Sequence, residues 1–215
     1  MGQLILDISM SVDGFVAGPD QTLEEPLGRR GMELHEWAFA TRTFKEMHGE
    51  SGGEANEDSQ VLQEAFGRSG ATIMGRRMFS GGEGPWEDDP NADAWWGDEP
   101  PFRHPVFVLT HHPREPLAMK GGTTFTFVSD GIHSALEQAR QAADGKDVMI
   151  GGGATVAQQF LRAGLVDEVH LHVAPVLLGE GVRLFEDHVG AKAPQLDCTQ
   201  VISSPQVTHL TYRVS

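Results

Sequence analysis

A single cysteine, Cys198, stands among 215 residues. Its isolation excludes an internal disulfide framework and a cysteine-rich zinc site. It fits a reducing cytoplasm, and it reads as a buried structural residue. Basic residues are scarce: 16 Lys and Arg face 31 Asp and Glu, a net charge of −15. That balance argues against a general nucleic-acid surface and against docking on an anionic membrane. One local basic pocket for one anionic ligand remains compatible with it. No apolar run approaches the ~18 residues that a membrane span needs. Met1 to Met10 has no basic leader and carries Asp7, so it does not read as a signal peptide. Residues 1–215 suffice for a single domain with a real core, and no internal repeat or interdomain linker interrupts them.

Apolar runs bounded by glycine and proline predict the elements. Leu4 to Met10, Ala71 to Met74, Val106 to Thr110, Thr124 to Val128 and Val148 to Ile150 read as strands. Further strands are expected at 167–177, 182–186, 195–203 and 206–213. Helical spacing marks Glu33 to Met47, Asp58 to Arg68, with Val61, Leu62, Ala65 and Phe66 inward, Ile132 to Ala143 and Ala154 to Arg162. Gly164 is a C′ stop for the last. This order fits an α/β fold: a mixed, mostly parallel sheet between helical layers, with antiparallel strands at the end. Segments 19–57 and 79–105 are long, and loops of such length inside a domain are usually functional or mobile.

Gly151-Gly152-Gly153 lies between an apolar strand and an amphipathic helix. Glycines there let a diphosphate approach the backbone, and the helix start offers free N–H groups and a positive dipole end. The plainer alternative is a tight turn joining two packed elements. The dinucleotide fingerprint is half met: Val156 replaces its third glycine, and Asp167 and Glu168 come sooner than the expected ~20 residues. No Gly-Lys-Ser/Thr follows either, so neither a Rossmann unit nor a P-loop is expected.

Two other strand ends join the glycines: Gly75-Arg76-Arg77 and Thr110-His111-His112. In open α/β sheets, ligands bind beyond the carboxyl ends of the strands. Arginines there either grip phosphates with bidentate forks or remain solvated surface charges. Two of them beside a phosphate-binding helix suit a ligand with more than one phosphate group, such as NADPH.

Six segments in fixed order resemble the dihydrofolate reductases, and most closely the branch of the reductase domain of bacterial riboflavin biosynthesis. They are Ile73-Met74-Gly75-Arg76-Arg77, Val106-Phe107-Val108-Leu109-Thr110, Met149-Ile150-Gly151-Gly152-Gly153, Ser11-Val12-Asp13-Gly14-Phe15-Val16-Ala17-Gly18, Leu165-Val166-Asp167-Glu168-Val169 and Ala174-Pro175-Val176-Leu177-Leu178-Gly179-Glu180-Gly181. The resemblance spans 3 to 213. It implies a three-layer αβα dihydrofolate reductase-like fold, an NADPH-dependent reductase and a homodimer built on the strand-rich tail. Arg76 and Arg77 would then hold cofactor phosphates, with Gly75 allowing close approach. Thr110 and His111 would lie near the adenosine end. Gly151, Gly152, Gly153, Ala154 and Thr155 would bind the diphosphate. Ser9, Val16 and Ala17 would line the nicotinamide.

The reductases of this kind anchor the pterin through a carboxylate on the helix before the Gly-Arg strand. Asp58 is the nearest equivalent, one residue out of register. It is either that catalytic group or a helix-start carboxylate stabilised by the dipole. Asp13 is a second candidate, otherwise a turn residue. Trp86, in the acidic segment with Trp95 and Trp96, either stacks on a heterocycle or fills a satellite core. His170 and His172 face one side of their strand. No third ligand makes them a metal site, so packing or substrate contact is expected. Arg42, Lys45 and Arg103 are cations without an assigned place.

The leading expectation is hydride transfer from NADPH to a small heterocycle, pterin-like or 5-amino-6-ribosylaminouracil-like. An NADP(H)-binding sensor without turnover is the alternative. A metal-dependent hydrolase is a distant third.

Overall fold

A computed structural model describes residues 2–93, 96–185 and 194–215. The strands are β1 (Leu4–Ser11), β2 (Phe15–Ala17), β3 (Ser69–Gly75), β4 (Pro105–Leu109), β5 (Leu117–Ala118) and β6 (Thr124–Val128). After them come β7 (Asp147–Gly152), β8 (Glu168–Ala174), β9 (Val182–Arg183), β10 (Leu196–Ser203) and β11 (Thr208–Val214). The helices are α1 (Glu36–Phe39), α2 (Arg42–Met47), α3 (Glu57–Arg68), α4 (Arg76–Ser80), α5 (Ile132–Ala142) and α6 (Ala154–Arg162). Part of the strand expected at 182–186, and Trp95, lie outside the described residues.

One nine-stranded sheet runs β10-β11-β8-β1-β7-β3-β4-β6-β5. Its six central strands, β8 through β6, pair in parallel, and β5, β10 and β11 are antiparallel. Helices cover both faces, giving the expected three layers. Strand alternation sorts the side chains. Leu4, Leu6, Ile8, Ala71, Ile73 and Ile150 turn toward α5 and α6, where Ala135, Leu136, Val156 and Phe160 complete the main core. On the opposite face, Met74, Val106, Val108 and Phe125 meet Phe79 of α4 and Phe102. A third cluster, with Trp37, Ala38 and Val207, lies beside Phe44 and Leu62 of the helices on that face.

The helical pattern at 33–47 breaks into a 3₁₀ turn (Gly31–His35), α1 and α2. Thr41 causes the break. It adopts an extended conformation, donates to the Ala38 carbonyl at 2.6 Å and caps α2 by accepting from Phe44 N–H at 3.2 Å. In α3 the apolar side chains Val61, Leu62, Ala65 and Phe66 are only half-buried. The buried residues of that helix are Asp58 and Ser59, a reversal of the periodic expectation. Gly164 does end α6 in the left-handed conformation. Gly164 N–H donates to Leu161 and Leu165 N–H to Phe160, the Schellman pattern. Cys198 is exposed, not buried, because β10 is the edge strand and almost all of it faces solvent. Among the described residues no helix is long and apolar enough to cross a membrane.

Phe160 is fully buried between α6 and the sheet. Replacing it with alanine should lower stability by about 3–5 kcal/mol, read as a lower urea midpoint with an unchanged slope.

Candidate functional site

The three glycine- and arginine-bearing strand ends form a continuous edge. β7, β3 and β4 are neighbours, with Met74 opposite Gly152 and Gly75 opposite Leu109. A Cβ on Gly75 would lie 2.9 Å from Val156 Cγ2 and 3.7 Å from Gly153 N. Only a glycine lets α6 seat so tightly on the end of β3. Gly152 has φ 130° and is joined to Gly153 by a cis peptide. Val156 and Ala157 N–H both donate to the Gly153 carbonyl. The N–H groups of Ala154 and Thr155 therefore precede the helical ladder. Gly153 and Thr155 are exposed, and nothing lies within 4 Å of a Cβ built on Gly153. The edge thus has an open patch of backbone donors at the positive end of α6.

Beside it, Thr110 Oγ1 accepts from His112 N–H at 3.0 Å, which turns the chain after β4, and His111 is exposed. The arginines are not free forks. Arg76 is buried, 2.5 Å from Asp89 Oδ2, and also donates to Ser80. Burial alone would raise the Asp89 carboxyl, but Ser80 and Arg76 hold it below the usual carboxylate range. Arg77 pairs with Glu83 at 2.8 Å and Arg114 with Asp93 at 2.6 Å. Each of these guanidiniums takes its carboxylate from the long segment 79–105. Arg77 still lines an open cavity of 290 Å³ with Gln21, Gly82 and Gly84. A larger cavity, 520 Å³, lies by Gly70, His104 and Lys146 at the amino ends of the strands, away from this edge.

Trp86 is not open for substrate stacking. Its Nε1 donates to the His112 carbonyl at 2.7 Å, its ring meets Phe79 and Phe127, and the Arg76 guanidinium lies 3.7 Å above it. It fills the satellite core beneath β4 and β6, the outcome expected of an aromatic ring in an apolar site with one polar partner. Asp13 has a scaffolding position. Its carboxylate accepts from Gly179 N–H at 2.7 Å and Leu178 N–H at 3.2 Å. The Ser11 hydroxyl, with these backbone donors, lowers its pKa. Val16 and Ala17 are buried in β2, which pairs with β9, and Val16 points into the main core. Ser9 is buried and accepts from Trp37 Nε1 at 3.1 Å.

Asp58 is not a solvated helix-start carboxylate. Asn56 is the cap, accepting from Ser59 N–H at 3.0 Å, and Asp58 is 1% exposed. It accepts from Ser204 Oγ at 3.0 Å, and its Oδ1 lies 3.0 Å from His209 Nε2. Asp7, Ser9, His170, His172 and His209 share the sheet face under Trp37 and α3, because β1, β8 and β11 are in register there. Burial raises Asp7, but His172 and His170 outweigh it and hold the carboxyl far below its ordinary value. Burial lowers His170, yet Asp7 and Glu168 raise it overall. Asp7, Trp37, Asp89 and His209 were not singled out by the sequence. A charge inside the apolar run of β1 was the signal for Asp7. Among the described residues no group of three His, Cys, Asp or Glu is arranged to hold a metal.

Three histidines with lowered values, His35, His104 and His209, and one with a raised value, His170, give stability opposite slopes. Burial pushes His35 and His104 down from 6.5 to about 4. They stay neutral when folded and take protons when unfolded, so their stabilisation is complete above pH 6.5 and lost as pH falls toward 4. His170 is raised, so its contribution is complete below 6.5 and fades as pH rises through its higher folded value. Melting temperature should fall on both sides of mildly acidic pH. His104→Gln should flatten the acid limb alone and His170→Gln the alkaline limb alone.

The profile of the RibD C-terminal domain matches residues 3–210. The uncharacterized protein YyaP of Bacillus subtilis is 25% identical over 186 residues, 86% of this chain and 81% of that protein. The riboflavin biosynthesis protein RibD of Mycobacterium tuberculosis is 42% identical over 55 residues, which are 26% of this chain and 16% of that protein. A putative riboflavin biosynthesis protein from Shewanella sp. PV-4 superposes with a TM-score of 0.61 at 20% identity, covering 99% of both chains. A pyrimidine reductase-like protein from Corynebacterium diphtheriae gives 0.56 at 15% identity, over 100% of this chain and 92% of that one. Fold, glycine edge and profile agree: this chain belongs to the RibD C-terminal domain family, with the dihydrofolate reductase-like architecture.

Proposed function

We propose that the protein is an NADPH-dependent reductase of a small heterocycle, pterin-like or 5-amino-6-ribosylaminouracil-like. The observation that carries this reading is the continuous edge of β7, β3 and β4. Open space over Gly153 and the first-turn donors of α6 fit a diphosphate there. The relatives' names support the pathway class, riboflavin biosynthesis, without extending to the substrate of this chain.

When bound, the cofactor supplies the hydride. The residues of this chain do the placing. Gly151 to Thr155 take the diphosphate on backbone N–H groups. Arg77, beside its open cavity, takes a further phosphate group, for which Glu83 has to give way. Gly75 lets the backbones close up, and Thr110 and His111 flank the adenosine end. Ser9 and the β1–β2 turn place the ring near β1, on the sheet face that also holds Asp58. Asp13 fixes that turn against the loop at Leu178 and Gly179. A proton donor to the reduced substrate is then needed, and of the carboxylates on that face, which include Asp7, Asp58 is the one on the helix before the Gly-Arg strand.

A homodimer is part of this proposal. β10 is an edge strand with Leu196 and Val201 exposed. An exposed apolar edge of this kind invites pairing with another chain.

NADPH titrated into the protein should show saturable fluorescence enhancement at submillimolar concentration. Absence of binding there sinks the proposal. Arg77→Ala should weaken NADPH about tenfold while barely moving NADH, the cost of one charge-assisted phosphate contact. Glu83→Gln should move NADPH the other way. Saturable binding without NADPH oxidation across pterins, aminopyrimidines and quinones would favour the sensor reading over the enzyme.

A further inference from the structure

Four ionisable groups, three of them buried and Asp7 partly so, stand in line over one sheet face. Asp58 Oδ1 is 3.0 Å from His209 Nε2, His209 Nδ1 is 2.7 Å from His172 Nδ1, and His172 Nε2 is 3.1 Å from Asp7 Oδ1. The two imidazoles are 3% and 4% exposed. Trp37 packs on both, with centroid distances of 4.8 and 4.9 Å, and covers the two rings, while the Asp7 end of the line stays partly exposed. The members come from α3, β11, β8 and β1, so no local pattern assembles them.

Proton counting decides the state of this line. A ring nitrogen is either a donor or an acceptor, and a carboxylate can only accept. Three links need three hydrogens, one per link. If both carboxylates are ionised, the two rings carry three N–H groups between them, so one ring is a cation and the other is neutral. Moving the central proton from His172 Nδ1 to His209 Nδ1 shifts that charge from the Asp7 side to the Asp58 side. Moving the His209 Nε2 proton onto Asp58 as well leaves both rings neutral and Asp58 a carboxylic acid. Every link still holds one hydrogen.

The surroundings of the line disfavour a cation on His209. Burial lowers the His209 value, with His172 adding to it against Asp58 and Asp7. His170 faces Asp7 Oδ2 at 3.3 Å without hydrogen-bond alignment and Glu168 at 2.6 Å, so it acts on the line through its charge. His35 faces His172 from the 3₁₀ turn, Ser204 donates to Asp58, and Arg68 reaches Glu168 and Asp147 at the outer end.

We propose that His172 and His209 hold one positive charge in common and act as a proton reservoir for Asp58. The role of Asp58 as proton donor rests on the reductase reading above. An isolated aspartate is ionised at neutral pH and has no proton to give. Here two short proton shifts load it. The substrate carbon then gains hydride and its electron pair, the adjacent double bond opens, and the neighbouring nitrogen takes the Asp58 proton. Solvent restores the missing proton after product leaves. His172 and His209 are positioning residues in this scheme, since neither touches substrate.

Histidine-labelled nitrogen NMR of the intact protein tests the charge directly. Three ring protons on the pair, with a downfield proton coupled between the two Nδ1 atoms and one shared titration, are expected. Two rings that titrate independently, or two neutral rings with two protons beside an ionised Asp58, overturn the proposal. His209→Gln keeps a donor toward Asp58 but removes the mobile charge. With a turned-over heterocycle, it should lower kcat about 100-fold at neutral pH, leave KM nearly unchanged and shift the alkaline limb of the pH profile downward. An unmoved profile in a folded His209→Gln protein overturns the reservoir while leaving the reductase reading intact. If the wild-type protein binds NADPH but reduces nothing, the reductase reading fails, and the ring-proton count alone decides the shared charge.

Discussion

The close seating of α6 on the end of β3 is the contact on which the candidate site depends. Val156 occupies the space that any side chain at position 75 would need. That packing brings the Gly153 turn beside β3, aims the first N–H groups of α6 past the sheet edge, and sets Thr110 at the next strand end. The core residues Val156, Ala157, Phe160 and Leu161 hold the helix there by apolar burial. The chemistry of the edge comes from the backbone, so it tolerates the strong negative charge of the chain.

The long acidic segment 79–105 changes what that edge presents. It places Asp89, Glu83 and Asp93 on Arg76, Arg77 and Arg114. A buried ion pair with added hydrogen bonds, such as Arg76 with Asp89 and Ser80, holds position more than it adds stability. The exposed pair at Arg77 is weak and exchangeable. In the proposed site, phosphate recognition would therefore fall to the backbone donors and to Arg77, with Arg76 and Trp86 as the floor beneath them.

The two sheet faces serve different ends. The α5–α6 face is continuous apolar packing. Under Trp37 and α3 the other face is polar, and it gathers aspartates and histidines that the parallel register of β1 and β8 and the antiparallel register of β11 bring level. A low local dielectric makes every charge there felt by its neighbours. That explains the strong lowering of Asp7 and the raising of His170 together.

Local pattern was enough for much of this protein. Short apolar runs marked the parallel strands and period-3.6 apolar spacing marked α5 and α6, because burial on both faces of a strand or one face of a helix dictates residue type at each step. Gly164 and the glycine triplet were legible because helix ends and close backbone approach require that residue type. Helix interruption at Thr41, the short β5 and the exposure of Cys198 were not, since capping competition and edge position have no periodic signature. Side-chain partners were decided only by the tertiary structure. Asp58 meets His209 across 151 positions, and Arg76 meets Asp89 across a loop of 13. A charged residue in a sequence declares that it needs a partner. Which one it finds depends on how the strands come into register, and that decided whether Arg76 met a phosphate or a carboxylate and whether Asp58 met water or an imidazole.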